Sequence, residues 1–306
     1  MISHSALAFV CGMMWAVSVP WYAPAWGMTD TIKEDVAQGG NMDIDPISEE
    51  STLPSTGEPT TFTLPGGAVM EMVWIESGTF MMGSPPSEPG RWNNEGPQHE
   101  VTISRGFWLG KYEITQAQWE SVMGTRPWMG KSYVRENPAY PAVYISWSDV
   151  QAFVAKLKKA AGSKVYRLPT EAEWEVACRA GTTTRWSFGD DIRALRKYAW
   201  YDVNAWNVGK QYAHAVGMKR PNPWGLYDMH GNVCEWVQDW YDRDYYRVSP
   251  SVDPSGPASG LYRVARGGSF YYYAQVLRSA NRLAFPPGLR ADDCGARLLR
   301  EGGAGY

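Results

Sequence analysis

From Gly181 to its last residue, the chain shows almost no helical periodicity. Tryptophans and tyrosines are interleaved with glycines and prolines, and the β-like segments, such as YRVARGGSF and CGARLLR, are short. The whole chain has 16 Trp, 18 Tyr, 31 Gly and 21 Pro, so large flat side chains are joined by turn-forming residues. This combination favours a loop-rich globule, ordered by aromatic packing and backbone hydrogen bonds, over a helical bundle.

The residues before Gly181 predict most of the regular elements. AVMEMVWIESGTFMMGS reads as two short strands around a Ser77-Gly78 turn, and HEVTISRGFWLGKYEIT gives further strand-like alternation. Three helices are predicted by capping boxes that begin at Thr115, Ser146 and Thr170. There is no internal repeat. The pattern predicts one α+β domain with much irregular structure, over residues 62–306.

The N-terminal residues have the composition of a targeting segment. The first 27 residues contain no Lys, Arg, Asp or Glu, and an apolar run precedes the small-residue motif APA at residues 23–25. This predicts a signal peptide over residues 1–25, cleaved near Ala25, and hence a periplasmic or secreted protein. The alternative is an uncleaved membrane anchor. Residues 26–61, with eight acidic side chains and one lysine, predict a flexible acidic linker.

The charge distribution excludes one class of partner. The chain has a net charge of −3, whereas residues 62–306 carry 28 basic and 24 acidic side chains and are therefore mildly cationic. The basic residues are not grouped into a block. Because nucleic-acid binding depends largely on neutralising phosphates, we expect no nucleic-acid partner.

Cysteine is sparse. Only Cys178, Cys234 and Cys294 remain after the predicted cleavage, an odd number with no CxxC motif and no regular spacing. The sequence leaves two alternatives open: one disulfide with a leftover thiol, or three buried thiols.

Eight segments occur in the order in which they are found in a known family. They are VWIESGTFMMGS, EGPQHEVTI, KYEITQAQW, YRLPTEAEWEVACRAG, NPWGLYDMHGNVCEWVQDWY, RVARGGSF, RSANR and CGARLLR. The sequence resembles the formylglycine-generating-enzyme (sulfatase-modifying-factor) family over roughly residues 66–300. The resemblance implies an elaborated C-type-lectin-like α+β fold with little regular secondary structure. Family members include copper oxidases, sulfoxide synthases, periplasmic maturation factors and retroelement-diversified variable proteins.

The copper ligands of the oxidase members have no counterpart here. Those enzymes bind copper through two cysteines shortly after the motif matched by residues 267–269. In this chain the following residues read FYYYAQVL, and no cysteine occurs between Gly267 and Asp293. Cuprous ion prefers thiolates, and phenol oxygens replace them poorly. We therefore expect neither copper binding nor formylglycine-generating oxidase activity, although another enzymatic activity remains open.

Other catalytic centres have little support. The sulfoxide synthases use an HxxxH-type iron site, whereas His99, His214 and His230 are far apart in the sequence. His99 reads as a structural residue, and His230 is expected to be exposed near the glycine loop. Ser269 lacks a nucleophile-elbow motif and reads as a turn serine.

The segment YDMHGNVCEW has the composition of a calcium loop. Asp228 and Glu235 offer hard oxygen ligands, and Gly231 lets the chain curl so that carbonyl groups point inward. The resemblance implies a structural calcium ion bound by Asp228, the carbonyl oxygens of Gly231 and Val233, and Glu235. The alternative is a capped turn with a surface carboxylate pair.

The tyrosine-rich segment after the glycine motif is the predicted binding surface. The resemblance places it along the former active-site groove, and Tyr and Arg are well suited to recognition. In the alternative, Tyr271 and Tyr273 point into the core while Arg278 and Arg282 pair with acids of the scaffold. The predicted ligand-binding residues are Ser269, Phe270, Tyr271, Tyr272, Tyr273, Gln275, Arg278, Arg282 and Arg290, the three arginines forming a cationic rim.

These observations predict an exported, calcium-stabilised member of the family that lacks cysteine-oxidase activity. It would bind a protein, a peptide or a small molecule through residues 270–293, and it would contact a membrane only if the N-terminal segment stays attached. A retroelement-diversified variable protein is one form of this hypothesis. The alternative is a periplasmic maturation enzyme of the same family.

Overall fold

A computed structural model describes residues 55–161 and 165–302. The predicted signal peptide, and the predicted linker up to residue 54, lie outside the described residues. In the part of the chain that is described, no helix combines the length and the apolar character needed to cross a bilayer.

The described residues form eleven strands in three sheets. The largest sheet has the order β1-β2-β5-β11-β6, a second has the order β10-β7-β8-β9, and β3 pairs with β4. All pairings are antiparallel except that of β7 with β10. In chain order the strands are β1 (Pro59–Thr63), β2 (Val69–Ile75), β3 (Gly78–Met82), β4 (His99–Ile103), β5 (Phe107–Gly110), β6 (Tyr166–Arg167), β7 (Cys234–Trp240), β8 (Arg263–Arg266), β9 (Leu283–Phe285), β10 (Cys294–Ala296) and β11 (Leu299–Glu301).

The three predicted helices are confirmed, together with their caps. They are α1 (Gln116–Met123), α2 (Trp147–Ala161) and α3 (Glu171–Arg179). Thr115 and Thr170 each accept a hydrogen bond from the backbone N–H three residues later, at 3.2 Å in both cases. Ser146 makes the equivalent bond with the N–H of Asp149 at 3.1 Å. These reciprocal side-chain bonds satisfy the N–H groups that the first helical turn leaves unpaired.

The strands predicted around Ser77-Gly78 are also confirmed, but they belong to different sheets. β2 lies between β1 and β5 in the large sheet, whereas β3 pairs only with β4. Most side chains of β2 are buried, while those of β3 are mostly exposed or half-buried. The chain thus passes from one sheet to the other at the predicted turn and does not form a hairpin there. β1 begins at Pro59, inside the segment predicted as linker.

Aromatic stacking orders the irregular region after α3, as expected from composition. Between residues 181 and 233 the regular elements are short 3₁₀ turns. Phe188 stacks on Tyr198 with ring centroids 4.2 Å apart, and the ring of Trp200 lies 3.8 Å from that of His214. Such pairs bury large apolar areas without requiring helix or sheet.

Candidate functional site

The tyrosines after the glycine motif alternate between core and surface. Phe270 is fully buried, whereas Tyr271 and Tyr273 are 50% and 48% exposed. Tyr271 contacts Trp206 edge-on, with ring centroids 4.8 Å apart. The alternative in which both exposed tyrosines point into the core is therefore wrong, and their rings are available for contact with a ligand.

Ser269 and the half-buried Tyr272 lie over a small polar cluster. The hydroxyl of Ser269 is buried and donates to Asp293 Oδ2 at 2.9 Å. The thiol of Cys234 donates to the Asp293 carbonyl oxygen at 3.0 Å. Burial raises the pKa of Asp293 to about 6 and also raises the pKa of Tyr272. Ser269 is thus a turn residue that fixes Asp293. Like Phe270 it is fully buried, so these two residues, which were predicted to bind ligand, lie beneath the surface.

Arg278 and Arg282 do not form a cationic rim, because the structure buries both of them. Arg278 is 1% exposed and pairs with Glu88 at 2.7 Å and with Glu95 at 2.5 Å. Arg282 is 4% exposed and pairs with Glu171 at 2.8 Å. A buried guanidinium must be neutralised by carboxylates nearby, and these carboxylates belong to the scaffold. For the two arginines, the alternative of pairing with scaffold acids is the one observed.

These pairs belong to a larger buried network centred on α3. Glu175 accepts hydrogen bonds from Arg179 at 2.9 Å and from Arg266 at 2.5 Å, and all three side chains are buried. The network ties α3 to β8 and to the segment that follows it. Its charged members are Glu88, Glu95, Glu171, Glu175, Arg179, Arg266, Arg278 and Arg282.

The other two polar residues predicted to bind ligand also have intramolecular partners. Arg290 is exposed and forms a two-point ion pair with Asp149 at 2.7 and 2.8 Å, next to the start of α2. Gln275 Nε2 donates to the carbonyl oxygen of Gly90 at 2.6 Å. Both contacts hold the segment against neighbouring loops.

A cleft of about 460 Å³ opens beside the same segment. Two residues that line it, Asn94 and Asn281, each carry a buried side-chain atom, Asn94 Oδ1 and Asn281 Nδ2, that has no hydrogen-bond partner within the described protein. Trp92 contributes an indole that is 46% exposed. The lining residues are Trp92, Asn93, Asn94, Tyr241, Arg243, Val276, Asn281, Arg282 and Leu283. Because buried polar groups are almost always paired, these two atoms are candidates for a hydrogen bond to water or to a ligand.

A second cleft of about 480 Å³ shares Asn93 and Arg243 with the first and adds Arg91 and Arg247. Neither Arg91 nor Arg243 forms an ion pair with a described residue, whereas Arg247 pairs with Asp244 at 3.2 Å. A cationic rim therefore exists, but it is made by arginines that sequence reasoning did not select. They lie on two loops about 150 residues apart, and no local pattern marks them as one surface.

The calcium-loop residues surround an unbalanced group of buried charges. Asp228, Glu235 and Glu113 are all buried around the guanidinium of Arg297. Glu235 accepts from Arg297 at 2.7 Å and from Trp174 Nε1 at 2.7 Å. Asp228 accepts from the Gly217 N–H at 2.7 Å through Oδ2, and its Oδ1 has no partner. Three carboxyl groups thus share one arginine.

The excess of carboxyl groups over guanidinium groups in this cluster is compatible with a cation bound near Asp228. Burial raises the pKa of Asp228 to about 6, and burial followed by repulsion from Asp228 and Glu235 raises the pKa of Glu113. Within residues 55–161 and 165–302, no three His, Cys, Asp or Glu side chains converge to hold a metal ion. A calcium ion would therefore need backbone carbonyl oxygens, such as those of Gly231 and Val233, for much of its coordination. Glu235 serves here as the ion-pair partner of Arg297.

His230 and His214 lie in separate environments. His230 is 3% exposed, so the expectation that it is exposed is wrong, and burial lowers its pKa to about 4. Its Nδ1 donates to the Leu277 carbonyl oxygen at 2.9 Å, while Nε2 accepts from the N–H of Ser187 at 3.1 Å. His214 stacks on Trp200. Both rings are packed as structural side chains of the core.

The geometry and the motifs agree with a family comparison. A profile described as "Sulfatase-modifying factor enzyme 1-like domain" matches residues 59–302, from the first residue of β1 to just after β11. The chain belongs to this family. The match includes both clefts, the buried charge network and the Asp228 loop, and its start at residue 59 agrees with the position of β1.

Among curated proteins, the formylglycine-generating enzyme of Streptomyces coelicolor is 36% identical over 197 residues, which are 60% of this chain and 60% of that enzyme. Serine/threonine-protein kinase pkn1 of Chlamydia caviae is 33% identical over 254 residues, 75% of this chain but only 38% of the kinase. The chain thus spans less than two thirds of the length of either relative.

Two solved structures share the fold at a TM-score of 0.71. Treponema denticola variable protein 1 is 29% identical, with 80% of this chain and 99% of that one covered. PvdO from Pseudomonas aeruginosa is 32% identical, with 82% and 100% covered. The predicted α+β fold of the formylglycine-generating-enzyme type is therefore confirmed.

Proposed function

We propose that this family member is an exported binding protein without cysteine-oxidase activity, whose ligand occupies the cleft beside residues 276–283. The observation that carries the proposal is that two residues lining one cleft, Asn94 and Asn281, each have an unpartnered polar group, Oδ1 and Nδ2 respectively. One is an acceptor and the other a donor, so a ligand with hydroxyl or amide groups would satisfy both once the two side chains turn toward the cleft. Leaving them unpaired costs about 1–3 kcal/mol each.

The surroundings of the cleft favour a polar ligand with an acidic group. Arg243 and Arg91 have no ion-pair partner among the described residues, and Trp92 offers an exposed ring for stacking. Tyr271 and Tyr273, which precede the cleft residues in the same segment, are also exposed. Guanidinium groups recognise carboxylate, sulfate and phosphate through two parallel hydrogen bonds.

The identity of the residues around Ser269 argues against copper-dependent oxidation. The described segment after the glycine motif has no thiol, and the nearby Cys234 and Cys294 are fully buried in the sheet. Cuprous ion would lack the pair of accessible thiolates that it prefers.

Incubation with copper and a Cys-x-Pro-x-Arg peptide should leave the mass of the peptide unchanged. Conversion of its cysteine to formylglycine would refute the binding proposal.

Ligand binding can be tested with defined probes. The full chain would be screened by thermal shift against neutral sugars, uronic acids, amino acids and dicarboxylates, and calorimetry would give the affinity of each hit. Arg243→Ala should weaken binding of an acidic probe by about 10- to 100-fold, because a charged hydrogen bond contributes about 1.5–3 kcal/mol. Arg220→Ala, which removes an equal charge from an exposed position outside both clefts, should leave the affinity unchanged.

Two outcomes of that screen would refute this site. One is equal affinity of an acidic probe for the Arg243→Ala variant and the unaltered chain. The other is the absence of any response from the whole panel, combined with turnover of a peptide substrate. Loss of binding in Trp92→Ala, with unchanged thermal stability, would support stacking on the exposed indole.

Calcium is proposed as a structural ion at Asp228. Calcium in excess of its Kd should raise Tm by about 5–10 °C, because an ion present at 100 times its Kd stabilises by about 2.7 kcal/mol. Asp228→Asn should abolish this response. Asparagine retains the shape of the side chain and tolerates the positive φ of 58° at this position. If calcium does not bind, the same variant should instead be more stable than the unaltered chain, because it removes an unbalanced buried carboxylate. Whether Asp228→Asn lowers or raises the stability measured with calcium present therefore decides whether the ion binds at this site.

A maturation enzyme of the same family is the second candidate, favoured by the 36% identity to the formylglycine-generating enzyme of Streptomyces coelicolor. The likeness to Treponema denticola variable protein 1 favours the binding protein. A reverse-transcriptase gene beside a near-copy of the region encoding residues 267–297 would support a diversified binder, whereas a neighbouring biosynthetic cluster would support maturation.

A further inference from the structure

Cys234 and Cys294 are direct neighbours in the four-stranded sheet. β7 and β10 run parallel there, with Cys294 as the register partner of Cys234. Neighbouring strands lie about 4.8 Å apart, inside the range of about 4.4–6.8 Å between Cα atoms that a disulfide bridges. Both residues are free thiols in this structure, and both side chains are fully buried. We propose that this pair is a disulfide site that joins β7 to β10.

The third cysteine of the described residues has a different environment. Cys178 lies on α3, where its sulfur is 3.8 Å from the Met229 carbonyl oxygen and 3.9 Å from both ring nitrogens of His230. It packs in a separate hydrophobic cluster from Cys234 and Cys294. Of the two alternatives open in the sequence, the geometry therefore points to one disulfide with Cys178 as the leftover thiol.

The bond forms by exchange with a small disulfide such as oxidised glutathione. One cysteine thiolate attacks the glutathione disulfide and releases one glutathione thiolate. The second cysteine then attacks the mixed disulfide and releases the other. The two cysteines lose two protons and two electrons, and one glutathione disulfide becomes two reduced glutathione molecules. Since both sulfurs are buried in the folded protein, the exchange takes place during folding, before β10 docks beside β7.

The disulfide would close a loop of about 60 residues that includes one wall of the cleft. β10 is three residues long and forms the edge of its sheet, so few backbone hydrogen bonds hold it. A crosslink at Cys294 would also fix the adjacent Asp293, which accepts from Ser269. Closing a loop of this length in the unfolded chain should raise Tm by about 10 °C.

The mass of the crosslinked peptides tests the proposal directly. The full chain would be refolded with reduced and oxidised glutathione, alkylated in denaturant, digested and analysed by mass spectrometry. We expect one linked pair of peptides that contain Cys234 and Cys294, lighter by two hydrogen atoms than their sum, and an alkylated Cys178. Cys178→Ser is the matched control and should keep the link. Alkylation of both Cys234 and Cys294, a link to Cys178, or a stoichiometric soft metal ion on the pair would overturn the proposal.

Thermal unfolding provides a second readout. A reductant that acts in the unfolded state should lower Tm of the oxidised chain by about 10 °C, and it should not change Tm of a variant with Cys234→Ala and Cys294→Ala. If that variant does not fold, the mass of the linked peptides from the unaltered chain is sufficient by itself to test for the disulfide. An oxidised chain whose Tm does not respond to reductant, despite complete reduction, would contradict the stabilising role.

Discussion

Replacing Glu175 with alanine is expected to lower the free energy of unfolding by about 3–5 kcal/mol and Tm by about 10 °C or more. Glu175 is fully buried and neutralises Arg179 and Arg266, which are themselves 3% and 0% exposed. It also accepts from the Gly83 N–H at 2.9 Å. Its removal leaves two guanidinium groups in the core without their shared carboxylate, and the cost of burying an uncompensated charge exceeds that of a lost packing contact.

Glu120→Ala is the matched control for this variant. Glu120 pairs with Arg126 at 2.7 Å, but both side chains are more than 40% exposed. Water screens such a pair, so the loss should be at most about 1 kcal/mol. Chemical denaturation of both variants, followed by circular dichroism, gives the comparison. Equal losses would show that the α3 network does not hold the cleft segment in place by buried charge.

The second large effect is expected for Gly231→Ala, which should destabilise the protein by about 2–5 kcal/mol. Gly231 has a φ of +99°. A Cβ added there would overlap the Trp200 carbonyl oxygen and lie 3.0 Å from Leu277 Cδ2. Backbone strain and overpacking therefore add, and a backbone carbonyl cannot move aside as a flexible side chain can.

Gly225→Ala separates the two contributions. Gly225 has a similar φ of +80°, but no atom lies within 4 Å of a Cβ added at this position. Its substitution should cost only the conformational strain, about 1–2 kcal/mol. Denaturant titration of both variants gives the difference between them. A loss at Gly225 as large as that at Gly231 would show that the close approach to Trp200 contributes little.

Much of the local structure was determined by the sequence alone, because its signals act over a few residues. Thr115, Ser146 and Thr170 each cap a helix through a partner three residues away, and the helices begin where those boxes predict. The family motifs occur in the expected order, and the aromatic content predicted a loop-rich α+β domain. Tyr271 and Tyr273 are exposed, and their role in binding stays a prediction.

Only the tertiary structure decided which charged side chains form ion pairs inside the protein and which face the clefts without an ion-pair partner among the described residues. Arg278 and Arg282 are separated by 190 and 111 residues from the glutamates Glu88 and Glu171 that neutralise them. Arg91 and Arg243, which face the clefts without an ion-pair partner among the described residues, have no distinguishing neighbours in the sequence. A charge is neutralised by whatever approaches it in space, and long-range strand pairing determines that approach. The chemistry of the binding surface therefore becomes visible only once the chain is folded.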